Sequence, residues 1–374
     1  MRRRHVLQLL PLAIAGLHLA PVRGQALGIF PEPGRPIRLV VPFPAGGTSD
    51  LRARQVAEHL RQDAGWTVVV DNRPGASGMI GSDLVAKAPA DGYTLLLGTI
   101  GTLAINPAVF PNQPYDVLRD FQPVTQFSRS VSVLMAHRNT GITSLAQLEA
   151  AARAGKPLAY ASTGTGTIGH MVGEIYKKRA NLELTHVPYK GTAPAVQDFV
   201  AGHVPLLIET PSAVWEHLKA GTAVPLAVTS AARMPQMPSV PTFRELGYGD
   251  MVFDTWQGIV TRRGVPPAVL EALNREIVRA LRQPDVVRSH EEQVNVVVAN
   301  TPEQFERFIA DETRKWASVV KETGVAAGEG APPLAAMAAA LVAAAEGVLG
   351  RFPAVFIIRT ACNPLPMATA SYEI

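Results

Sequence analysis

The residues best suited to chemistry stand at four corners where an apolar run gives way to a helical pattern. The most pointed is "STGTGTIGH" within "LAYASTGTGTIGHMVGEIYKK". Here Gly164, Gly166 and Gly169 spell G-x-G-x-x-G, and Glu183 follows about twenty residues after the first glycine. Glycines at such a corner let backbone N–H groups approach an anion at a helix N-terminus, where the macrodipole favours negative charge. That anion can be a dinucleotide pyrophosphate or a smaller carboxylate. The motif opens late in the chain rather than in a first strand-to-helix turn, which argues against a dinucleotide. Hydroxyls at Ser162, Thr163, Thr165 and Thr167 interleave with the glycines and suit a small polar ligand. His170, just inside the helix, reads as a surface or cap residue rather than a metal ligand.

The second corner, "VVPFPAGGTSD", carries Phe43, Ala45, Gly46 and Gly47 in a loop, with Ser49 and Asp50 where a helix begins. It makes an anion seat without a lysine; the alternative is that the glycines only make the turn and Ser49 or Asp50 caps the helix. The third, "LLLGTIGTLAINP", places Thr99, Gly101 and Thr102 at the end of a buried strand. The fourth, "HVPYKGTAPA", offers Tyr189, Lys190, Gly191 and Thr192 before another helix. Glu209 ends the strand "VPLLIE", where a carboxyl can meet a ligand's polar group or titrate abnormally. Catalytic signatures are missing: the chain has no H-E-x-x-H, no G-x-S-x-G and no G-x-x-x-x-G-K-[ST]. A lone carboxylate without a partner base or metal does not make a reaction, so no enzyme, cofactor or metal site is expected.

The elements that must position these corners follow an α/β grammar. "IRLVVPF", "TVVVD" and "YTLLLGT" alternate with helical patterns at about Ser49 to Ala64 and Ile80 to Lys87. These strands lack polar alternation, as parallel strands buried on both faces do. The grammar restarts after residue 128 with "VSVLMA", "LAYAST", "LTHVPY", "VPLLIET" and "AVPLAVTS". Helices at Leu145 to Ala154, Ile168 to Ala180 and Ala193 to Ala201 lie between them. Two corners fall in each set. Ligands of such sheets lie beyond the carboxyl ends of the strands, so two facing sheets would bring all four corners to one cleft. Long helices at Pro267 to Arg282 and Pro302 to Lys321 close the pattern. Phe305, Phe308, Ile309, Trp316, Val319 and Val320 keep to one face of the last helix and read as packing.

The ends differ in character. Arg2, Arg3 and Arg4 precede an apolar run from Val6 to about Ala20 and small residues before Ala26, the pattern of an export signal, with a weak hint of the twin-arginine route. The whole chain carries +4, but four arginines lie in this leader, and without it 31 basic residues face 31 acidic ones. That balance offers no basic footprint for nucleic acid. The single cysteine, Cys362, excludes an internal disulfide framework. Residues 326–374 are alanine-rich, continue no strand–helix pattern and are assigned no function.

The motifs "RPIRLVVPFPAGGTSD", "VVVDNRPGASGMIGSDLVAKAPADGYTLLLGT", "PYDVLRDFQPV", "HVPYKGTAPAVQDFVAGHV" and "LAVTSAARMPQMPSVPTFRELG" closely resemble the substrate-binding proteins of tripartite tricarboxylate transporters, the Bug receptor family. The resemblance runs from about Arg35 to Val325. It implies a two-domain periplasmic binding protein of type II, the Venus flytrap, with hinge crossings near "FQPVTQF" and "FDTWQGIV". Residues 27–125 plus 254–325 would form one domain, 126–253 the other, with 1–26 a signal peptide. It implies a monomeric periplasmic receptor that captures a small carboxylate and delivers it to a membrane permease; a sensory receptor feeding a membrane signalling partner is the alternative, and an NAD-dependent oxidoreductase the remaining one. Carried over by motif, Phe43, Ala45, Gly46, Gly47, Ser49 and Asp50 would form one jaw. Ser162, Thr163, Gly164, Thr165, Gly166 and Thr167 would face it, supported by Tyr189, Lys190, Gly191 and Thr192. The family often has Asp where Glu209 stands and an acidic residue at the place of Pro205, so the part of the pocket that meets the ligand's far end is expected to differ.

Overall fold

A computed structural model describes residues 30–325, so the expected signal peptide and the 326–374 extension lie outside the described residues. The apolar runs become short strands and the amphipathic stretches become helices. The first set comprises β1 (Ile37–Val41), α1 (Thr48–Ala64), β2 (Val68–Asn72), α2 (Met79–Ala86), β3 (Thr94–Thr99), α3 (Asn106–Val109), α4 (Val117–Asp120) and β4 (Phe121–Val131). The second comprises β5 (Val133–His137), α5 (Leu145–Arg153), β6 (Ala159–Ser162), α6 (Ile168–Ala180), β7 (Thr185–Pro188), α7 (Thr192–Val200), β8 (Leu206–Glu209), α8 (Trp215–Lys219) and β9 (Ala223–Val228). The chain then returns through β10 (Asp254–Arg262), α9 (Pro267–Leu281), α10 (Pro284–Glu291), β11 (Val296–Val297) and α11 (Pro302–Thr323).

These strands build two mixed sheets, ordered β11-β4-β10-β3-β1-β2 and β7-β6-β8-β5-β9. β1 runs parallel to β2 and β3, and β6 parallel to β7 and β8, which aims their carboxyl ends and the following helix N-termini the same way. β10 lies antiparallel to both β3 and β4, and β5 antiparallel to β8 and β9. The result is an α/β fold of two lobes joined by two crossings.

The first crossing lies later than the sequence pattern suggests. Residues 126–131 do not leave with the second set: β4 continues to Val131 and pairs with β10 from Phe121 opposite Arg262 to Val131 opposite Asp254. Proline cannot donate to a ladder, and the polar run Gln126, Ser128, Ser130 lacks the apolar signature of a strand, so no local signal marks this extension of β4. Pro123 is tolerated opposite Val260, beside a register shift. The chain changes lobes at Ser132 and returns between Phe253 and Asp254. Buried Thr229 ties these crossings together. Its hydroxyl accepts from the Ser132 N–H at 2.9 Å and donates to the Phe253 carbonyl at 2.6 Å. Its own backbone pairs with Ser132 O and Phe253 N.

Two apolar layers sandwich the first sheet. On one side Val56 and Leu60 of α1 meet Leu273 and Ile277 of α9. On the other, α11 buries Phe305, Ile309 and Trp316 against Trp256 of β10, while Phe308, Val319 and Val320 are only partly covered. The α11 start is held by a capping box of Thr301 and Gln304. Its buried Glu312 accepts from both indoles, Trp256 at 3.0 Å and Trp316 at 3.3 Å, which satisfies donors that burial would otherwise strand.

Candidate functional site

Three helix starts find a local solution for their free N–H groups. Ser144 caps α5, Thr301 caps α11 and Asp116 caps α4, each with a side-chain oxygen. The starts of α2, α3, α8, α9 and α10 have no such cap, and neither do those of α1, α6 and α7, which stand apart by where they lie. Their N-cap residues, Gly47, Thr167 and Gly191, make no side-chain cap hydrogen bond. Gly47 and Thr48 from the first lobe, with Thr167 and Thr192 from the second, line one cleft of about 90 Å³. Three uncapped helix N-termini thus present backbone donors and the positive ends of their dipoles to the same space.

The lobes touch around this cleft. The Ser77 hydroxyl donates to the Thr165 carbonyl across the gap at 2.6 Å. A Cβ on Gly191 would lie 2.8 Å from Pro44 Cδ, and one on Gly47 would lie 3.7 Å from Thr192 Cβ. Gly166 is left-handed, with φ of 75°, and a Cβ there would fall 2.7 Å from Phe110 Cε2 and 2.8 Å from Asn106 Oδ1, both on the other lobe. Gly169 serves packing instead, since a Cβ there would meet the Ile208 carbonyl at 2.5 Å. Two glycines of the dinucleotide-like motif are therefore accounted for by lobe contact and helix-on-strand packing.

Of the residues singled out from sequence, Phe43, Gly47, Ser49, Thr99, Gly101, Thr163, Thr167, Thr192 and Glu209 line the cleft. Thr163, Gly164, Thr165, Tyr189 and Lys190 border a neighbouring cavity whose other wall is the Pro74–Gly78 turn. The remainder support the loops. Ala45 and Gly46 are exposed at the loop tip. Asp50 turns back to accept from the Gly46 N–H and from Arg54, both at 3.0 Å. Burial opposes its ionisation, yet Arg54 and Gly46 hold its carboxyl below the ordinary range. Thr102 exchanges hydrogen bonds with Thr99, and the Tyr189 hydroxyl is spent on Asp198 at 2.8 Å. Gly191 abuts Pro44 without lining the cleft.

Sequence reading passed over the inner wall. Ser128 and Ser130 on β4 stand opposite Gln257 and Thr255 on β10, and all four line the cleft with Trp256, Thr210, Ser212 and Asn295. The alternation Ser128, Ser130 is the strand signal that was available. Arg52 also lines the cleft. It shares the buried face of α1 with Ser49 and Val56, three and four residues away, where an arginine is out of keeping with the pattern.

Comparison with known proteins gives the family. A model of the tripartite tricarboxylate transporter family receptor matches residues 52–325. The chain belongs to that receptor family. It is 39% identical over 318 residues to protein BugT of Bordetella pertussis, covering 84% of this chain and 97% of BugT. Among solved structures, a protein of R. palustris with adipate superposes with a TM-score of 0.75 at 36% identity, covering 79% of this chain and 99% of its own. MatC from Rhodopseudomonas palustris, with bound malate, gives a TM-score of 0.74 at 28% identity, covering 77% and 100%. The fold and the family are those of periplasmic solute-binding receptors. Among the described residues no helix is long and apolar enough to cross a membrane.

In the receptor, two buried imidazoles stay neutral beside the glycine loop. Burial pulls His170 down to about 4, leaving its unprotonated Nδ1 to accept from the Gly166 N–H at 3.2 Å. His186 stacks on it with centroids 4.3 Å apart, is likewise depressed by burial, and bonds the Ser162 hydroxyl at 2.7 Å. His170 is thus neither a surface nor a cap residue but an internal brace, 1% exposed. Glu209 opens partly onto the cleft. Burial pushes its carboxyl above the ordinary range, while the Thr210 N–H and hydroxyl pull the other way.

Proposed function

We propose that this receptor captures a small carboxylate between its lobes and hands it, unchanged, to a membrane permease of the tripartite tricarboxylate type. The observation that carries the reading is the convergence of three helix N-termini without side-chain caps, from both lobes, on one cleft. Desolvated backbone donors want an anion, and a charge-assisted hydrogen bond contributes about 1.5–3 kcal/mol net. Gly47, Thr163, Thr167 and Thr192 would hold the carboxylate, with Phe43, Ser49, Thr99, Gly101 and Glu209 around it. The adipate and malate held by the structural relatives support the ligand class.

In this reading residues 30–131 plus 254–325 form one domain and 132–253 the other, Thr229 is the hinge pin, and the leader at 1–26 exports a monomer to the periplasm. Contacts such as Ser77 to Thr165 exist only when the lobes meet, so a ligand that both lobes touch favours closure by its differential contacts. A thermal-shift screen against dicarboxylates, citrate-like acids, amino acids, nicotinate-like acids and aromatic acids tests the capture step. At least one acid should raise the melting temperature and titrate by calorimetry; a panel without any binder refutes it. Uptake of that acid should require both this chain and the permease, and uptake without the chain refutes the delivery step.

A further inference from the structure

One peptide group stands between the lobes with a partner at each end. The Thr165 carbonyl accepts from the Ser77 hydroxyl of the other lobe at 2.6 Å, and the Gly166 N–H of the same peptide donates to His170 Nδ1 at 3.2 Å. In a trans peptide the two groups point opposite ways, so a bond made at one end decides where the other end points. Gly166, with φ of 75°, would otherwise let this plane turn at little cost. His170 lies in the first turn of α6 and does not itself line the cleft.

The imidazole can hold the peptide only as an acceptor, with Nδ1 unprotonated and the hydrogen of the neutral ring on Nε2. Its surroundings keep it so. Burial opposes the charged ring, Glu174 favours it and Lys177 opposes it, both from α6 itself. The positive end of the helix dipole also disfavours an imidazolium there. From β6, Tyr160 gives its hydroxyl to Glu174 at 2.6 Å, and from β7 the His186 ring stacks on His170. β8 meets this turn with the Ile208 carbonyl, and the first lobe faces Gly166 with Asn106 and Phe110, neither of which titrates.

We propose that His170 is a positioning residue for capture: its Nδ1 lone pair holds the Thr165–Gly166 peptide with the carbonyl turned to Ser77, and protonation of the ring releases that hold and favours the open lobes. This rests on the capture reading above and adds proton control to it. A protonated ring sets one N–H against another, the peptide turns, and the contact at Ser77 is lost. The closed form needs the neutral ring and the ligand favours the closed form. Affinity is therefore full above the ordinary imidazole range and falls as pH drops toward about 4.

Nitrogen NMR of the isotope-labelled full chain tests the first half without ligand. Neutral His170 should carry its hydrogen on Nε2; a hydrogen on Nδ1 overturns the proposal. Calorimetry with the acid identified by the screen tests the rest. His170→Leu should weaken binding at neutral pH by about two- to tenfold, the worth of one hydrogen bond. His170→Asn, whose side-chain oxygen can stand where Nδ1 does, should bind within roughly threefold of the parent. His170→Leu combined with Ser77→Ala should cost no more than the larger single effect, because both act through one peptide. The ratio of the parent's affinity to that of His170→Asn cancels titration of the acid itself and of Glu209. Between neutral pH and about pH 5 it should fall about threefold or more, with about thirtyfold the limit for a ring that titrates at its ordinary value in the open form. Melting curves at each pH establish that the chain is folded. A flat ratio, additive losses in the double variant, or a leucine variant as tight as the parent overturns the positioning role while the carboxylate reading stands. A chain that binds none of the acids of the screen overturns both.

Discussion

Gly47 is where loop geometry and lobe closure can be separated by a pair of substitutions. Its φ of −83° and ψ of 170° are extended and open to any residue, so replacement carries no backbone strain. Placed at the start of α1, alanine or valine should cost about 0.5–1 kcal/mol of ligand-free stability relative to glycine, through the weaker N-cap alone. The ligand-free melting temperature should fall by a few degrees, and similarly for both. Binding should tell them apart. An alanine Cβ meets Pro44 O at 3.6 Å and Thr192 Cβ at 3.7 Å, ordinary contact distances, so Gly47→Ala leaves the closed form intact. The γ-methyls of valine reach further, into Thr192 on the opposite lobe. Overpacking of this kind costs about 1–3 kcal/mol, charged only against the closed state, which weakens binding roughly 5- to 150-fold. Calorimetry with the acid identified by the screen reads the affinity, and a melting curve without ligand reads the fold. Equal affinities for the two variants would refute the inference that this clash acts through closure.

Ser77→Ala removes the cross-lobe bond to the Thr165 carbonyl and should weaken ligand binding by about two- to tenfold, the worth of one hydrogen bond, with the ligand-free melting temperature unchanged; calorimetry and melting curves check both halves. Thr229→Val strands the buried Ser132 N–H and removes the donor to Phe253 O, so urea unfolding should show a loss of about 1–3 kcal/mol, and no loss would deny Thr229 its role at the crossings. Acid sensitivity should come from buried imidazoles. The unfolded chain takes up protons near 6.5, whereas His170 resists to about 4 and His290 to about 3, so folded stability is full above 6.5 and declines as pH falls through that window. Both His290 nitrogens are buried without a partner among the described residues, so His290→Leu should flatten the decline in urea midpoint between pH 6.5 and 4; an unchanged slope would assign acid lability elsewhere.

How much of the site could be foreseen depends on where the signal sits along the chain. The corner at Gly46–Gly47 and the threonine-rich corner at 162–167 are local: a strand, glycines, a hydroxyl and a helix start follow one another, and each is written in consecutive residues. Ser128, Ser130, Thr255 and Gln257 are not. They meet because β4 and β10 pair antiparallel across more than a hundred residues of intervening chain, and the alternation of Ser128 and Ser130 is short. His170 misleads for the related reason that burial of a helix face depends on the partner sheet, here the ring of His186 and the strand carrying Tyr160.

Periodicity and glycine placement were enough to determine two α/β sets, their element order and the four corners where an anion could be seated, because those are consequences of local sterics and of apolar spacing. Whether the corners face one another, where the chain crosses between lobes, and which charge ends up buried at Arg52 were decided by tertiary structure. Burial and ion pairing are properties of the space between elements, and no stretch of residues carries them by itself.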